Sequence, residues 1–255
     1  MGKALAPKTH SMKLSDTSTR APKEWEKEDT KAKTNMLINQ ISDYQRVMYA
    51  EGQSSLLIIL QGLDASGKDG TISTVFKGVN PLGCTVKAFK KPTEEEMAHD
   101  FLWRVHQHAP ARGMIQIFNR SHYEDVIMPV VNGQLTESAL ELRYQVINTF
   151  EQLLCHHDTH ILKFYLHISP EVQKERLYER LTNPTKFWKH NDADWDTVQK
   201  WQQYQQVYED IFENCGKAAA WYTVPADQNW YKEYVVAQKI VDTLASMDLH
   251  YPKAW

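Results

Sequence analysis

A glycine-rich segment with one lysine is the first feature of this sequence that could do chemistry. Gly62 and Gly67 enclose four residues and are followed by Lys68, which is the spacing of a phosphate-binding loop (P-loop). Glycines at these places let successive backbone N–H groups face one concavity, and the lysine brings a mobile cation to phosphate oxygens. The residues predicted to form this phosphate cradle around Lys68 are Gly62, Ala65, Ser66, Gly67, Asp69, Gly70 and Thr71.

Two acidic residues distinguish this loop from the usual motif. Asp69 stands where most P-loops have the serine or threonine that ligates Mg²⁺. Asp64 lies inside the loop, where a carboxylate would repel phosphate unless a cation lay between them. We therefore predict that Asp64 holds Mg²⁺, with Mn²⁺ as the alternative ion, and that a bridging water links this ion to Asn119. The alternatives are that Asp64 simply forms the turn and that Asp69 stabilises the N-terminus of the following helix through the helix dipole.

A second group of polar residues follows the apolar run Met114–Phe118. In P-loop proteins an acidic residue at the end of such a strand positions the metal, whereas here Asn119 has this place. Arg120 is suited to phosphate because its guanidinium is planar. The acidic residues one turn later could hold metal or contact an acceptor, and the histidine is expected to hydrogen-bond or stack. The predicted nucleotide-binding residues are Asn119, His122, Glu124 and Asp125.

A third cluster combines arginines on a helix with lysines on the loop that follows. Arg176 and Arg180 are four residues apart, so they share one helix face, and Lys186 and Lys189 lie beyond the helix-breaking Asn-Pro pair. A cationic, aromatic loop between two helices is typical of a lid that closes over phosphates and excludes water, here about residues 176–195. The alternative is a solvated helix whose glutamates pair with the arginines.

Short apolar runs alternate with helical periods and so predict the elements that position these residues. This alternation is typical of one α/β domain, a parallel sheet with helices on both faces. The predicted strands are Leu56–Leu60, Thr85–Phe89, Met114–Phe118, Ile161–Ile168 and Ala219–Val224. The predicted helices are Asp29–Glu51, Glu94–His108, Glu137–Cys155, Pro170–Leu181, Trp195–Cys215 and Trp230–Met247.

Composition restricts the class of protein. The chain has 255 residues, of which 42% are hydrophobic, and no run of about 18 apolar residues that could span a membrane. The absence of a long apolar start and the three scattered cysteines predict a cytoplasmic location. With 29 basic against 32 acidic residues, the formal charge of −3 argues against a nucleic-acid partner.

The ends of the chain and its other polar clusters carry weaker signals. Residues 1–53 are predicted to be a polar, solvated tail and a helix, and residues 54–250 the main domain. A zinc site at His156, His157 and His160 is disfavoured. The aromatic residues near the C-terminus are expected to pack in the core and at an interface. Asp227 follows the last strand and could lie near the ligand crevice.

Taken together, these motifs resemble the polyphosphate kinase 2 family. The resemblance is carried by residues 62–71, 119–125 and 183–189 and by Val-Pro-Ala-Asp at 224–227, and it extends over residues 54–247. An Asp in the P-loop and an Asp-Gly pair after its lysine are features of that family. The sequence Asn-Arg-Ser-His-Tyr-Glu is similar to the class III branch, whose members accept both nucleoside monophosphates and diphosphates.

The resemblance implies a P-loop kinase-like fold, similar to that of thymidylate kinases, with a helical lid. It implies reversible transfer of the terminal phosphoryl group of inorganic polyphosphate to AMP or ADP with Mg²⁺, polyphosphate lying in the P-loop and the nucleotide under the lid. The residues implied to be catalytic are Asp64, Lys68, Arg120 and Arg180. The phosphate-binding residues added by the lid are Arg176, Lys186 and Lys189. A homo-oligomer, dimer or tetramer, is expected.

Two other functions remain open at this stage. One is an ATP-dependent nucleotide or nucleoside kinase of the same fold, which the acidic P-loop disfavours. The other is a non-enzymatic P-loop binding protein, in which a lid with four cations would have no purpose. The choice between adenine and guanine, the favoured direction and the preferred polyphosphate length are not determined by these patterns.

Overall fold

Five parallel β-strands form the sheet of the described chain, which comprises residues 13–253 of the computed structural model. The strands are β1 (Ser55–Gln61), β2 (Cys84–Ala88), β3 (Ile115–Asn119), β4 (Thr159–His167) and β5 (Trp221–Pro225). Their order across the sheet is β2-β3-β1-β4-β5. The predicted parallel sheet is confirmed, and each predicted strand lies within a few residues of an observed one.

The position of each strand in the sheet follows from its sequence. All seven residues of β1 are buried, because a central parallel strand is covered by helices on both faces and therefore needs a continuous apolar run. β2 lies at one edge with a single neighbour, and all five of its residues are partly or fully exposed. The least apolar of the predicted strands is therefore one of the two edge strands.

Ten α-helices surround this sheet in the described residues. They are α1 (Lys27–Glu51), α2 (Lys68–Val75), α3 (Glu94–Ala98), α4 (Trp103–His106), α5 (Glu124–Val131), α6 (Glu137–His156), α7 (Pro170–Thr182), α8 (Asp194–Gln199), α9 (Trp201–Asn214) and α10 (Asn229–Ser246). A short 3₁₀ helix, Pro184–Lys189, follows α7. None of these helices has the length and apolarity required to cross a bilayer.

Two predicted helices are each divided in the structure. The helix predicted over Glu94–His108 becomes α3 and α4, because His99 is extended and the Asp100 carboxylate accepts a hydrogen bond from the Leu102 N–H at 2.9 Å. This local bond competes with helix formation. The helix predicted over Trp195–Cys215 becomes α8 and α9, which meet at Lys200.

The strand order places a crevice at the carboxyl end of the sheet. The chain passes from β1 to β2 and β3 on one side, and then returns to β4 and β5 on the other. Ligands of open α/β sheets bind where the strand order reverses in this way, beyond the carboxyl ends of the strands. The ends of β1 and β3 lie side by side here, and the Arg120 N–H donates to the Leu60 carbonyl at 3.0 Å.

The segment before α1 is tied to the domain, which corrects the prediction of a solvated arm. Leu14 is fully buried in the core, and its N–H donates to Glu209 at 2.5 Å. Thr19 Oγ1 donates to the buried carboxylate of Asp227 at 2.8 Å. α1 itself packs along α10. Residues 1–12 of the predicted tail lie outside the described residues.

Candidate active site

A crevice of about 520 Å³ opens at the carboxyl ends of β1 and β3. Its lining includes seven basic and four acidic side chains, so it favours an anionic ligand. Twelve of the predicted site residues line it: Asp64, Ala65, Gly67, Lys68, Asp69, Gly70, Asn119, Arg120, Arg176, Arg180, Lys186 and Lys189. The P-loop, the end of β3 and the lid therefore converge, as their sequence motifs predict.

The P-loop connects the end of β1 to the start of α2 through an unusual backbone path. Gly62 has φ of +147°, and a Cβ there would lie 2.8 Å from the Leu166 carbonyl oxygen, so this turn requires glycine. Ala65 adopts the left-handed region with φ of +64°. Because non-glycine residues rarely do so, the strained conformation at Ala65 supports a functional role for the loop.

Lys68 begins α2 and lies beneath the loop. Its ammonium donates to the carbonyls of Gly62 at 2.7 Å and Leu63 at 3.2 Å. Burial and the nearby Arg120 lower the pKa of Lys68 from its ordinary value of 10.5 to about 8. The lysine thus lies at the floor of the crevice with its charge poorly solvated, where a phosphate oxygen would stabilise the protonated form.

Arg120 connects the P-loop to the end of β3. It follows β3 with φ of +61°, and its guanidinium donates to the Asp64 carboxylate and, at 3.0 Å, to Glu124. The charge of Glu124 raises the pKa of Arg120 despite partial burial, and Asp64 adds to this effect. Glu124 therefore holds Arg120 and does not line the crevice, and its contact with a nucleotide stays a prediction.

Asp69 joins the P-loop helix, β3 and the lid. Its carboxylate accepts from Asn119 Nδ2 at 2.8 Å and from Lys189 Nζ at 2.9 Å. Burial opposes ionisation of Asp69, but the hydrogen bonds from Lys189 and Asn119 outweigh it, and the pKa of Asp69 is lowered. The acidic residue at the usual hydroxyl position therefore holds the lid lysine across the crevice.

The lid lies over the crevice and is held by its own charges. Arg180 donates to Asp194 and, at 3.2 Å, to the Lys189 carbonyl. Lys186 pairs with Glu179 at 2.5 Å. This ion pair differs from the alternative of a solvated helix, in which the glutamates pair with the arginines. Two neighbouring aromatic side chains, Phe187 and Trp188, remain exposed.

Arg176 has a different position from the other lid cations. Its guanidinium donates to the Ala65 carbonyl at 3.0 Å and to the carbonyls of Ala226 and Asp227 at 2.9 and 2.8 Å. It therefore ties the P-loop to the loop after β5. Asp227, predicted near the crevice, is 2% exposed in its side chain and contributes a backbone carbonyl to this tie.

Several predicted site residues lie outside the crevice. His122 is fully buried, with Nε2 3.4 Å from Glu151, so it cannot reach a nucleotide in this conformation. Asp125 accepts from Arg104 Nη2 at 3.0 Å, behind the loop that follows β3. Neither side chain lines the crevice, so the structure does not bring these two predicted nucleotide-binding residues to it.

Two hydroxyls and one glycine of the predicted cradle also face inward. Ser66 and Thr71 are fully buried, and Thr71 Oγ1 donates to the Gly67 carbonyl at 3.0 Å, as a helix residue often does. Gly62 does not line the crevice either. These three residues can therefore contribute to anion binding only through their backbone groups.

The sequence patterns did not single out four polar residues of the crevice and one buried lysine. The crevice residues are Lys90, Asn191, Asp194 and Asn229. The signal available for Lys90 and Asn229 was their position just after β2 and β5, at the carboxyl edge of the sheet. Lys232 is buried beside the P-loop. No sequence pattern indicated this, because a lysine within a helical segment is normally expected to be exposed.

The crevice offers oxygen ligands that suit Mg²⁺ in one particular mode. Among residues 13–253 there is no group of three acidic, histidine or cysteine side chains that could hold a metal. The histidines at 156, 157 and 160 do not form such a group either. Mg²⁺ commonly keeps several waters and binds one or two carboxylates together with substrate phosphates. Asp64 fits this mode, because it lines the crevice. Asp69 fits it less well, because its two carboxylate oxygens accept hydrogen bonds from Asn119 and Lys189.

The chain is similar in sequence to known phosphotransferases. A family model described as Polyphosphate kinase 2 (PPK2) matches residues 24–252. The AMP/ADP-polyphosphate phosphotransferase of Meiothermus ruber is 46% identical over 219 residues, which are 86% of this chain and 82% of that protein. The ADP-polyphosphate phosphotransferase of Rhodopseudomonas palustris is 38% identical over 229 residues, covering 85% of this chain and 79% of that protein.

A solved structure has the same fold over almost the whole chain. The crystal structure of polyphosphate kinase 2 from Arthrobacter aurescens TC1 superposes with a TM-score of 0.93 and 37% identity. The match covers 97% of this chain and 90% of that one. The sheet, the P-loop and the lid are therefore those of a known architecture.

Proposed function

The chain belongs to the polyphosphate kinase 2 family, and we propose that it reversibly transfers the terminal phosphoryl group of inorganic polyphosphate to AMP and ADP, with Mg²⁺. The observation that carries this proposal is the convergence of a P-loop, Arg120 and a cationic lid on one crevice. The names of the relatives from M. ruber and R. palustris support polyphosphate as the donor.

The proposed chemistry requires positioning and neutralisation of charge. Phosphoryl transfer between phosphates needs no nucleophile on the protein, because the attacking oxygen belongs to the acceptor. Lys68 and Arg120 line the crevice, and they are proposed to hold the phosphoryl group during transfer, when charge is redistributed over its oxygens. The donor would lie in the P-loop and the acceptor beneath the lid, where Arg180 and Lys189 close the mouth of the crevice.

Mg²⁺ is proposed to be held by the Asp64 carboxylate together with oxygens of the phosphate chain. The ion would offset the repulsion between this carboxylate and the phosphates, and it would polarise the phosphoryl oxygens. Asn119 lines the same crevice and is proposed to orient a water of the metal shell. Mn²⁺ is proposed to substitute, since it takes the same oxygen ligands.

The central experiment measures ATP formation from ADP, polyphosphate and Mg²⁺ with a luciferase assay. We expect turnover that depends on polyphosphate and that falls by about a thousandfold in Lys68→Ala, because a preorganised charge at the phosphoryl group is lost. The matched control is Lys174→Ala, an exposed lysine on α7, which should keep wild-type turnover.

Two outcomes of this experiment would contradict the proposal. Transfer from ATP to a nucleoside, without ATP formation from ADP and polyphosphate, would identify an ATP-dependent kinase. Tight binding of nucleotide without any turnover would identify a binding protein.

The range of acceptors is the finer part of the proposal. A relative named for both AMP and ADP supports acceptance of both, in agreement with a class III-like branch, while another relative is named for ADP. The test is a panel of AMP, ADP, GMP and GDP with polyphosphate and Mg²⁺, with products separated by chromatography. Negligible rates with AMP beside rapid turnover of ADP would reject this range.

A homo-oligomeric state, dimer or tetramer, and a cytoplasmic location remain predictions. Exposed apolar side chains on α6, Leu142 and Leu153, support an interface between subunits. Light scattering of the purified protein tests the first prediction, and fractionation of the source cells tests the second.

A further inference from the structure

Each backbone carbonyl of residues 62–67 in the P-loop accepts a hydrogen bond from a side chain on one of the surrounding helices. The side-chain donors are Lys68 for Gly62 and Leu63, Gln173 for Asp64, Arg176 for Ala65, Lys232 for Ser66, and Lys232 together with Thr71 for Gly67. The C=O and the following N–H of a trans peptide point in opposite directions. Holding the carbonyls on protein donors therefore leaves the N–H groups to face an anion, except for the Ser66 N–H, which donates to the Leu63 carbonyl at 3.1 Å.

Of the charged donors, Lys232 is the one to which no role has yet been assigned. It lies one turn into α10 and is 1% exposed. Its ammonium is 3.2 Å from the Gly67 carbonyl, 3.4 Å from that of Ser66 and 2.9 Å from Asn229 Oδ1. An ammonium has three hydrogens, and these three acceptors use them all. Lys232 therefore acts on the loop and makes no direct contact with a ligand.

Gly67 and Lys232 fit together closely. Gly67 has φ of +92°, and a Cβ at this position would collide with the Lys232 ammonium. The turn itself favours glycine at this position, and the absence of a Cβ leaves room for the Lys232 ammonium. This close approach keeps the positive charge one peptide layer away from the crevice.

The charges around Lys232 explain why its position is costly without a ligand. Its three contacts are neutral oxygens, and the nearby charges are Arg176 and Lys68, which are positive, and Glu233 on the same helix. Burial and Arg176 lower the pKa of Lys232 to about 7. A buried cation without an anionic contact costs free energy. An anion on the other side of the loop would offset this cost.

We infer that Lys232 is a positioning residue of the phosphate cradle, which turns the carbonyls of Ser66 and Gly67 away from the crevice and places a second positive charge behind the bound phosphates. The inference deepens the proposed function and rests on it, since the anion concerned is the polyphosphate donor.

The test replaces the lysine by an uncharged side chain of similar length, Lys232→Met. We expect the KM for polyphosphate to rise about tenfold, while the KM for ADP changes less than about twofold, because only the donor cradle loses its support. Tripolyphosphate should raise the melting temperature of the wild type and raise that of the variant much less. The matched control is Lys239→Met on the same helix, whose lysine lies over Tyr222, and both readouts should remain those of the wild type.

The melting temperature without ligand separates this role from a merely structural one. Replacing a buried charge by an apolar group of similar volume is expected to leave the melting temperature unchanged or to raise it. If the methionine variant does not fold, Lys232→Gln, which keeps a donor but has no charge, is measured in the same way. We expect Lys232→Gln to fold and to lose stabilisation by tripolyphosphate.

The outcomes distinguish the two claims. A folded Lys232 variant with wild-type KM for polyphosphate and wild-type stabilisation by tripolyphosphate would overturn the inference. An equal rise of both KM values would also overturn it, since it would show that Lys232 supports the structure of the whole site and not polyphosphate binding in particular. A wild type that neither binds tripolyphosphate nor uses polyphosphate would instead overturn the proposed function.

Discussion

At the scale of single residues, the chemistry of Lys68 depends on its protonation. Its pKa is lowered to about 8 because burial disfavours the charged form. A neutral amine cannot neutralise a phosphate oxygen, so the free protein loses phosphate affinity as pH rises through this value. We therefore expect the burial of Lys68 to set an upper pH limit for activity.

The first prediction concerns this limit. We expect kcat/KM for polyphosphate to be highest below about pH 8 and to fall above it, because kcat/KM reports ionisations of the free enzyme. In Lys68→Arg the descending limb should move to higher pH, since arginine stays charged. The measurement is a pH profile between about pH 6 and pH 10. A profile that is flat to pH 9.5, or one unchanged in the arginine variant, would contradict the assignment.

A second residue-scale feature is the buried ion pair beneath the loop after β3. Lys163 and Glu151 are fully buried and 2.6 Å apart, and Tyr123 donates to Glu151 at 2.7 Å. The positive charge of Lys163 lowers the pKa of Glu151 against the effect of burial. Because His122 and Tyr123 both contact Glu151, this pair anchors the segment that presents Arg120.

The prediction that follows is a large loss of stability when one partner is removed. Lys163→Met leaves the Glu151 carboxylate buried and unpaired, which should cost about 3–5 kcal/mol of unfolding free energy. The double variant Glu151→Gln/Lys163→Met should lose clearly less, because no uncompensated charge remains. Urea unfolding of the two variants measures this difference. Equal losses in both would show that the charge itself is unimportant.

At the scale of elements, the lid is joined to the P-loop helix by a single exposed ion pair. Lys189 and Asp69 are 2.9 Å apart, with side chains 32% and 61% exposed. Exposed pairs contribute little to stability, so this contact can open and close easily. Its partners lie on α2 and on the 3₁₀ helix after α7, two elements that a bound phosphate chain would bridge.

We therefore predict that Lys189→Ala affects activity far more than stability. Turnover efficiency with polyphosphate should fall about tenfold, because one of the cations that close the crevice is lost. The melting temperature should stay close to that of the wild type, since the lost pair is exposed. Steady-state kinetics and thermal unfolding are compared with those of Lys174→Ala. A large drop in melting temperature without a change in kinetics would assign Lys189 a structural role.

At the scale of the whole molecule, the overall charge and the local charge have opposite signs. The chain carries a formal charge of −3, yet its crevice is lined by seven basic and four acidic side chains. Net charge is an average over the chain, and it excludes a protein that is basic everywhere. A polyanion can still be attracted to one crevice, because a cleft in which positive charges outnumber negative ones has a positive local potential.

This separation of charge predicts how salt affects the reaction. Raising NaCl from about 0.05 M to 0.5 M shortens the screening length severalfold, so the KM for polyphosphate should rise steeply. The KM for AMP should rise less, because AMP carries few charges. The experiment uses constant Mg²⁺ and compares both substrates. A KM for polyphosphate that is insensitive to salt would contradict binding in this crevice.

Much of the fold and about two-thirds of the site residues could be predicted from local sequence. β1 and the P-loop are recognisable because a buried parallel strand must be continuously apolar and a phosphate cradle needs glycines at fixed spacing. The burial of His122 was not predicted, because a position just after a strand indicates that a residue lies near the crevice, but not the direction in which its side chain points. The break at His99 was missed because it depends on one Asp100 hydrogen bond.

The sequence by itself determined the parallel α/β fold, the P-loop and six of the seven basic residues of the crevice, since each depends on local periodicity or spacing. The tertiary structure decided which groups meet: Lys232 behind Gly67, Lys189 against Asp69, and Thr19 on Asp227. These contacts join residues far apart in the chain. Their existence depends on how helices and loops pack on the sheet, and no local pattern encodes that packing.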